Sequence, residues 1–122
     1  MGVGPLAIRG LDFEAEATVD PAVFALAGSA DARSVGDLTT LIDSLHTELL
    51  AASVRQVVVD LRRLEFMNAS CFNVIVAWIG TVNELAPNQR YKLQFTTNPA
   101  IPWQRRSLRT LSCFATDLVV LA

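Results

Sequence analysis

The stretch that decides the fold is "QVVVDLRRLEFMNASCFNVIVAWIG", residues 56–80. It begins with a β-branched apolar run that is too short for a helix and does not alternate, which predicts a central parallel strand over 56–61 covered on both faces. From Ser70 to Leu85 the apolar residues recur at helical spacing. The polar break between the two segments, residues 68–71, is therefore predicted to be a strand-to-helix loop at the N-terminus of a helix.

The segments before this stretch predict a hairpin followed by a helix. "LDFEAEATV" and "AVFALAG" are strand-like and are separated by Asp20-Pro21, a pair that favours a turn. Apolar residues between Val35 and Leu49 fall on one helical face, with Ser34 as the predicted N-cap.

The segments after it continue the alternation of strands and helices. "YKLQFT" predicts a strand with one wetter face, "WQRRSLRTLSCF" a helix with Pro102 in its first turn, and "DLVVLA" a closing strand. The resulting order, ββαβαβαβ, predicts one α/β domain over residues 1–122 with a mostly parallel sheet, an N-terminal edge hairpin and about three covering helices.

Composition narrows the class of protein. With 122 residues, 52% of them hydrophobic, and a net charge of −2, the chain predicts a well-filled core and no surface for nucleic acid or anionic lipid. No apolar run reaches the roughly 18 residues that span a bilayer, and residues 1–16 lack the order of a secretory signal. We expect a cytoplasmic protein without a membrane segment.

The residues that carry chemistry do not assemble into a catalytic motif. Ser70 is not in a G-x-S-x-G turn, and the single histidine, His46, is predicted to be a surface residue beside the apolar stripe of its helix. Cys71 lacks a second histidine to activate it, and Cys113 lies too far from it for a zinc or disulfide pattern. We predict no enzymatic activity, no metal and no cofactor.

Asp60 closes the predicted buried strand and suggests one alternative, a phosphoacceptor domain of the receiver type. Receivers need acidic residues after their first strand to hold magnesium and a lysine after their last strand. In this chain the first strand runs into a hairpin, and no lysine follows Lys92. A carboxylate that caps a loop is the simpler interpretation of Asp60. The receiver and a purely structural oligomerisation module stay as alternatives.

The pattern "VVVDLRRLEFMNASCFNVIVAWI", together with "VFALAGSADARSV" upstream, resembles the signature of the STAS domain (sulphate transporter and anti-sigma-factor antagonist). The resemblance covers residues 13–121 and implies a STAS-like sandwich. It places Asp31 at the second loop position of that family. It also implies a bacterial regulator that acts by partner switching, in which an anti-sigma-type kinase phosphorylates a serine of the loop and a serine phosphatase restores binding.

At the loop itself this chain departs from the family pattern. The resemblance implies that Asn68 stands in place of an aspartate, Ala69 in place of the phosphorylated serine, and Cys71 in place of a glycine, whereas Ser70 is retained. Alanine has no hydroxyl, so the usual switch cannot operate at position 69. Ser70 is then either a possible phosphoacceptor or, like Asn68, a helix cap.

The helix after the loop has an unusually narrow polar stripe, formed by Asn73, Ala77, Gly80 and Glu84. Extra apolar width indicates either a partner surface near Val74 and Trp78 or deeper burial in a small domain.

Arg105 and Arg109, one turn apart in the last predicted helix, form either a solvated face or a contact with an acidic partner.

Overall fold

The computed structural model describes residues 6–121, without the side chain of Phe114. The first five residues, part of the stretch inspected for a targeting signal, lie outside the described residues. Six strands form one sheet in chain order: β1 (Ala7–Arg9), β2 (Phe13–Val19), β3 (Ala22–Ala30), β4 (Gln56–Met67), β5 (Lys92–Thr96) and β6 (Val119–Leu121). The helices are α1 (Val35–Ala51), α2 (Ala69–Asn83) and α3 (Pro102–Phe114), and a 3-10 turn, Ala32–Ser34, precedes α1.

The sheet has the predicted mixed character. Strands β1 to β3 pair antiparallel, and β3 to β6 pair parallel, with one helix crossing over between each parallel pair. Residues 56–61 therefore lie in a central strand, parallel to the strands on both sides, as predicted. The predicted fold class is confirmed, and the sheet gains one strand that was not predicted, because β1 pairs with the outer side of the hairpin.

Only one face of the sheet is buried by the helices. Along β4, Val57 and Val59 are fully buried, whereas Val58 and Asp60, which alternate with them, are partly exposed on the other face. The prediction that this strand is covered on both faces is wrong. Val58 lies beside its strand neighbours Val23 and Gln94, so lateral contact within the sheet, rather than a second layer, shields it.

Strand β4 is also longer than predicted, because it continues past residue 61 to Met67. Its register against β3 shifts twice, between Ala25 and Ala27 and between Gly28 and Ser29, and such bulges reverse the alternation of side chains. Gly28 has φ of 91°, and a Cβ there would collide with the carbonyl oxygen of Asp12. The second bulge therefore depends on glycine.

Helix α3 secures the irregular part of β4 through Gln104, a polar side chain with no exposed surface. Its Nε2 donates to the carbonyl oxygens of Leu61 and Leu64 at 2.6 and 2.7 Å, and its Oε1 accepts from the backbone N–H of Asn98 at 2.8 Å. Pairing between β4 and β5 ends at Asp60, so Leu61 and Leu64 lie beyond the last partner on that side, and the buried amide satisfies their carbonyl groups. Pro102 opens α3, as predicted.

Candidate functional site

At the carboxyl ends of the parallel strands, Asn68 alone connects β4 to α2. The predicted loop over 68–71 is therefore shorter than expected, because Ala69, Ser70 and Cys71 belong to the first turn of the helix. Asn68 has an extended backbone, and its Oδ1 accepts a hydrogen bond from the backbone N–H of Cys71 at 2.9 Å. This is the predicted N-cap, and it satisfies one of the free donors in the first turn of α2. The predicted N-cap of α1 differs, because Ser34 makes no side-chain cap there.

A second loop, at the end of β3, lies directly beside the first. The backbone N–H of Asn68 donates to the carbonyl oxygen of Ala30 at 2.9 Å, and the Sγ of Cys71 donates to the carbonyl oxygen of Asp31 at 3.1 Å. The loop after β3, which holds Asp31, is therefore in contact with residues 68–71. Cys71, which stands where the family pattern has glycine, is wholly buried in this contact.

Cys71 is a structural residue in this environment. Burial raises the pKa of the Cys71 thiol, and the nearby negative charge of Asp31 raises it further. A thiol held in its protonated form is a poor nucleophile at neutral pH.

The side chain of Asp31 organises its own loop. Its carboxylate accepts from the backbone N–H of Arg33 at 2.9 Å and pairs with the Arg33 guanidinium at 2.8 Å. These hydrogen bonds to Arg33 hold the pKa of Asp31 below its ordinary value. The guanidinium also lies 3.7 Å from Asp12, which ties the β1–β2 turn to the same edge.

Ala69 and Ser70 are the first two residues of α2, and both are exposed. Their neighbours Asn68 and Cys71 are fixed by the hydrogen bonds described above, so a rigid backbone presents them. Ser70 carries the only hydroxyl of residues 68–71.

From Ser70 a shallow groove of about 270 Å³ runs between α1 and α2; we call it the α1–α2 groove. Residues of both helices line it: Thr39, Ile42, Asp43, His46, Ser70, Asn73, Val74, Ala77, Trp78 and Thr81. Apolar side chains alternate with hydroxyl, amide and carboxylate groups along it. Val74 is half-buried in its wall.

Trp78 does not have the half-exposed position expected of a surface anchor. It is 3% exposed, its ring meets Phe24 edge-on at a centroid distance of 5.8 Å, and its Nε1–H donates to the hydroxyl of Tyr91 at 2.7 Å. Of the two alternatives for this helix, deeper burial applies at Trp78, because α1 packs along this side of α2. The half-buried Phe72, Val74 and Val76 also pack against the core, so deeper burial accounts for the apolar width of the helix.

His46 also differs from its prediction as a surface residue. It is half-buried, and its Nδ1 lies 2.6 Å from the Tyr91 hydroxyl. Burial lowers the pKa of His46, and the nearby Asp43 opposes this only in part. Because Tyr91 accepts from Trp78, its own proton is free to be donated to a neutral imidazole. Burial also raises the pKa of Tyr91 far above neutrality.

Asp60 is not at the end of its strand. It is the fifth residue of the twelve-residue β4 and faces the open side of the sheet. Its carboxylate accepts from Arg62 Nε at 3.0 Å and Nη2 at 2.9 Å, and these bonds hold the pKa of Asp60 below its ordinary value. Residues 6–121 contain no cluster of three or more histidine, cysteine or acidic side chains suited to a metal ion.

One further feature at this edge was not anticipated from the sequence. Phe66 is 49% exposed and lies two residues before Asn68, where the second bulge turns its side chain away from the core. Its strand partner, Ser29, donates from its backbone N–H to Asp12, the residue after the fully exposed Leu11. The adjacent charged pair Arg62-Arg63 interrupts strand alternation and was the sequence signal for an irregular strand.

Comparison with known proteins supports the fold rather than a family. No protein-family profile matches the chain, and no match was found among characterised proteins. The structure is similar to that of an anti-sigma factor antagonist from Mycobacterium paratuberculosis, with a TM-score of 0.54 and 14% identity over 98% of this chain and 90% of that one. The chain therefore has the fold of an anti-sigma factor antagonist, as the STAS resemblance implied. No helix of the described part is long and apolar enough to cross a membrane.

Proposed function

We propose that this chain is a non-catalytic protein-interaction module of bacterial cytoplasmic signalling, and that it contacts its partner through a loop surface formed by Phe66, Asn68, Ala69 and Ser70. The observation that supports this most strongly is the exposure of Ala69 and Ser70 on a loop whose other groups are fixed by hydrogen bonds. A rigid, exposed loop loses little conformational entropy when a partner binds. The similar fold of an anti-sigma factor antagonist agrees with a regulatory role.

The partner class we propose is an anti-sigma-type kinase. A serine phosphatase would act on related chains that carry a phosphorylatable serine at the position of Ala69. A phosphate on the first turn of α2 would add about −2 charge to this surface and displace a partner that packs closely on it. Ala69 cannot carry that phosphate, so the chain would act as the permanently binding form. If the loop of the natural chain takes a phosphate at all, the acceptor is Ser70, the exposed hydroxyl beside Ala69.

The receiver alternative at Asp60 has less support. Its carboxylate is engaged by Arg62 and lies in mid-strand, whereas a phosphoacceptor has to be free at a strand end beside bound magnesium. Incubation with acetyl phosphate tests it directly, because only an aspartyl acceptor becomes labelled.

The proposed surface is tested by placing a photo-cross-linking amino acid at Ala69 in the native cell. Ala86, an exposed residue in the loop after α2, is the matched control at the other end of that helix. We expect a discrete cross-linked protein from position 69 and none from position 86. Cross-links from position 86 alone, or equal yields from both, would remove the loop from the interface.

The proposed loss of switching is tested with Ala69→Ser. Incubated with the captured kinase and ATP, this variant should gain a phosphate at residue 69 and release its partner, whereas the natural chain should hold it. Phosphate appearing on the natural chain outside residues 68–70 would contradict the assignment of this loop as the switch.

A further inference from the structure

Helix α3 carries an uncompensated positive face. Arg105, Arg106 and Arg109 are all exposed, and the helix contains no aspartate or glutamate. Residues three and four positions apart are neighbours on a helix surface, so Arg109 lies beside both Arg106 and Arg105 and the three form one positive cluster. None of them takes part in the ion pairs formed within residues 6–121.

Helix α1 has the opposite character. It contains Asp37, Asp43 and Glu48 and no lysine or arginine. The two aspartates are exposed, and Glu48 is half-buried. These carboxylates are likewise absent from the ion pairs of the described residues.

The two charged helices lie at opposite ends of the helical layer. Helix α1 contacts β1 and β2 and packs against α2, whereas α3 contacts β6 at the far edge of the sheet. Their exposed sides therefore do not neutralise each other within one molecule. Between two molecules the helices are complementary in charge. Helix α3 offers three arginines, and α1 offers Asp37 and Glu48 on its flank towards β1 and Asp43 on its flank towards α2.

We propose that α3 of one copy docks on α1 of a second copy. Nucleic acid fits the arginines less well, since binders typically neutralise six to ten phosphates and this chain has a net charge of −2. The acidic surface of a second copy is present wherever the chain itself is present. The contact is head-to-tail, so it leaves one free α1 and one free α3 and permits longer assemblies. This inference does not depend on the proposed function.

The strength of the contact should depend strongly on salt. Exposed ion pairs are individually weak, and their attraction is screened beyond about 3 Å at 1 M salt but reaches about 30 Å at about 0.01 M. The average mass in sedimentation velocity should rise with protein concentration at about 0.01 M salt and return to that of the monomer at about 1 M. A natural chain that stays monomeric at low salt across the concentration range would overturn the proposal.

Charge reversal identifies the surfaces. In the α3-reversed variant, Arg105→Glu, Arg106→Glu and Arg109→Glu are combined, and we expect it to remain monomeric at low salt. As a matched control, reversing the exposed Arg55, Arg63 and Lys92, which lie outside α1 and α3, changes net charge equally and should leave the assembly intact. Equal loss of assembly in both variants would mean that net charge, rather than the α3 surface, is responsible.

The decisive variant combines both reversals. The α1-reversed variant, with Asp37→Lys, Asp43→Lys and Glu48→Lys, should also be monomeric, and a chain carrying both reversals should assemble again because the charges are complementary once more. Circular dichroism establishes that each variant is folded. If the α1-reversed variant assembles normally, or the folded double variant stays monomeric, α1 is not the partner of α3.

Discussion

The indole Nε1 of Trp78 donates a hydrogen bond to the hydroxyl oxygen of Tyr91 at 2.7 Å, and this bond fixes the centre of the helical layer to the sheet. Trp78 comes from α2 and Tyr91 immediately precedes β5. The Tyr91 hydroxyl also lies 2.6 Å from Nδ1 of His46 on α1. Three elements thus meet at one buried hydroxyl, which explains why the tryptophan packs inward.

Replacing Trp78 by alanine should therefore reduce stability rather than affinity. We expect a loss of about 3–5 kcal/mol in the free energy of unfolding, because the change leaves a cavity beside Phe24. Trp78→Phe, which keeps an aromatic ring but removes the donor, should cost less, about 1–3 kcal/mol. Urea denaturation of the two variants checks this order, and an unchanged midpoint for Trp78→Ala would show that the residue is not part of the core.

The same cluster predicts a loss of stability on mild acidification. Burial lowers the pKa of His46 below its ordinary 6.5, so the folded state prefers the neutral imidazole. Its contribution is fully present above pH 6.5 and is lost as the pH falls through the folded pKa. Unfolding titrations at about pH 7.5 and 5.5 should show a larger decrease for the natural chain than for His46→Gln. Equal decreases would show that His46 is not the titrating group.

The order of strands and helices could be predicted from the sequence because the spacing of apolar residues within each segment is typical of a strand or of a helix. The β-branched run of β4 and the helical spacing after Ser70 are each contained in a short segment of sequence. A loop that follows a parallel strand lies at the carboxyl end of that strand, so the position of residues 68–71 could be predicted as well. Asn68 as N-cap followed from the same local chemistry.

Other features depended on partners distant in sequence and were missed. Whether Trp78 faces solvent depends on packing against α1, which lies more than 25 residues earlier in the sequence. The sheet has an open face because all three crossover helices pack on its other face. The exposure of Phe66 required the register of β4 against β3, which a single strand pattern does not contain.

The cap at Asn68 should contribute measurably to stability. Asn68→Ala removes the acceptor for the Cys71 N–H and is expected to cost about 1 kcal/mol. Asn68→Asp keeps an acceptor and places a negative charge at the positive end of α2, so it should retain most or all of the stability. Thermal unfolding of both variants distinguishes these cases; equal losses would mean that the amide donor, rather than the acceptor, is what matters.

Phe66 should replace Trp78 as the aromatic contact with the partner. Phe66→Ala is expected to weaken binding to the captured partner at least tenfold, a change of about 1.4 kcal/mol or more. Val120→Ala, an exposed apolar residue on edge strand β6, is the control and should bind normally. Binding titrations on both folded variants test this, and equal affinities would exclude Phe66 from the interface.

The most direct test of the central claim compares the partner's affinity for the natural chain with its affinity for Ala69→Asp. An aspartate at this exposed first residue of α2 is compatible with the helix N-terminus but places a negative charge on the loop surface. We predict at least tenfold weaker binding for Ala69→Asp and unchanged binding for the control Ala86→Asp, with both variants folded. Unchanged affinity of folded Ala69→Asp would contradict the assignment of the 68–70 loop as the partner-binding surface.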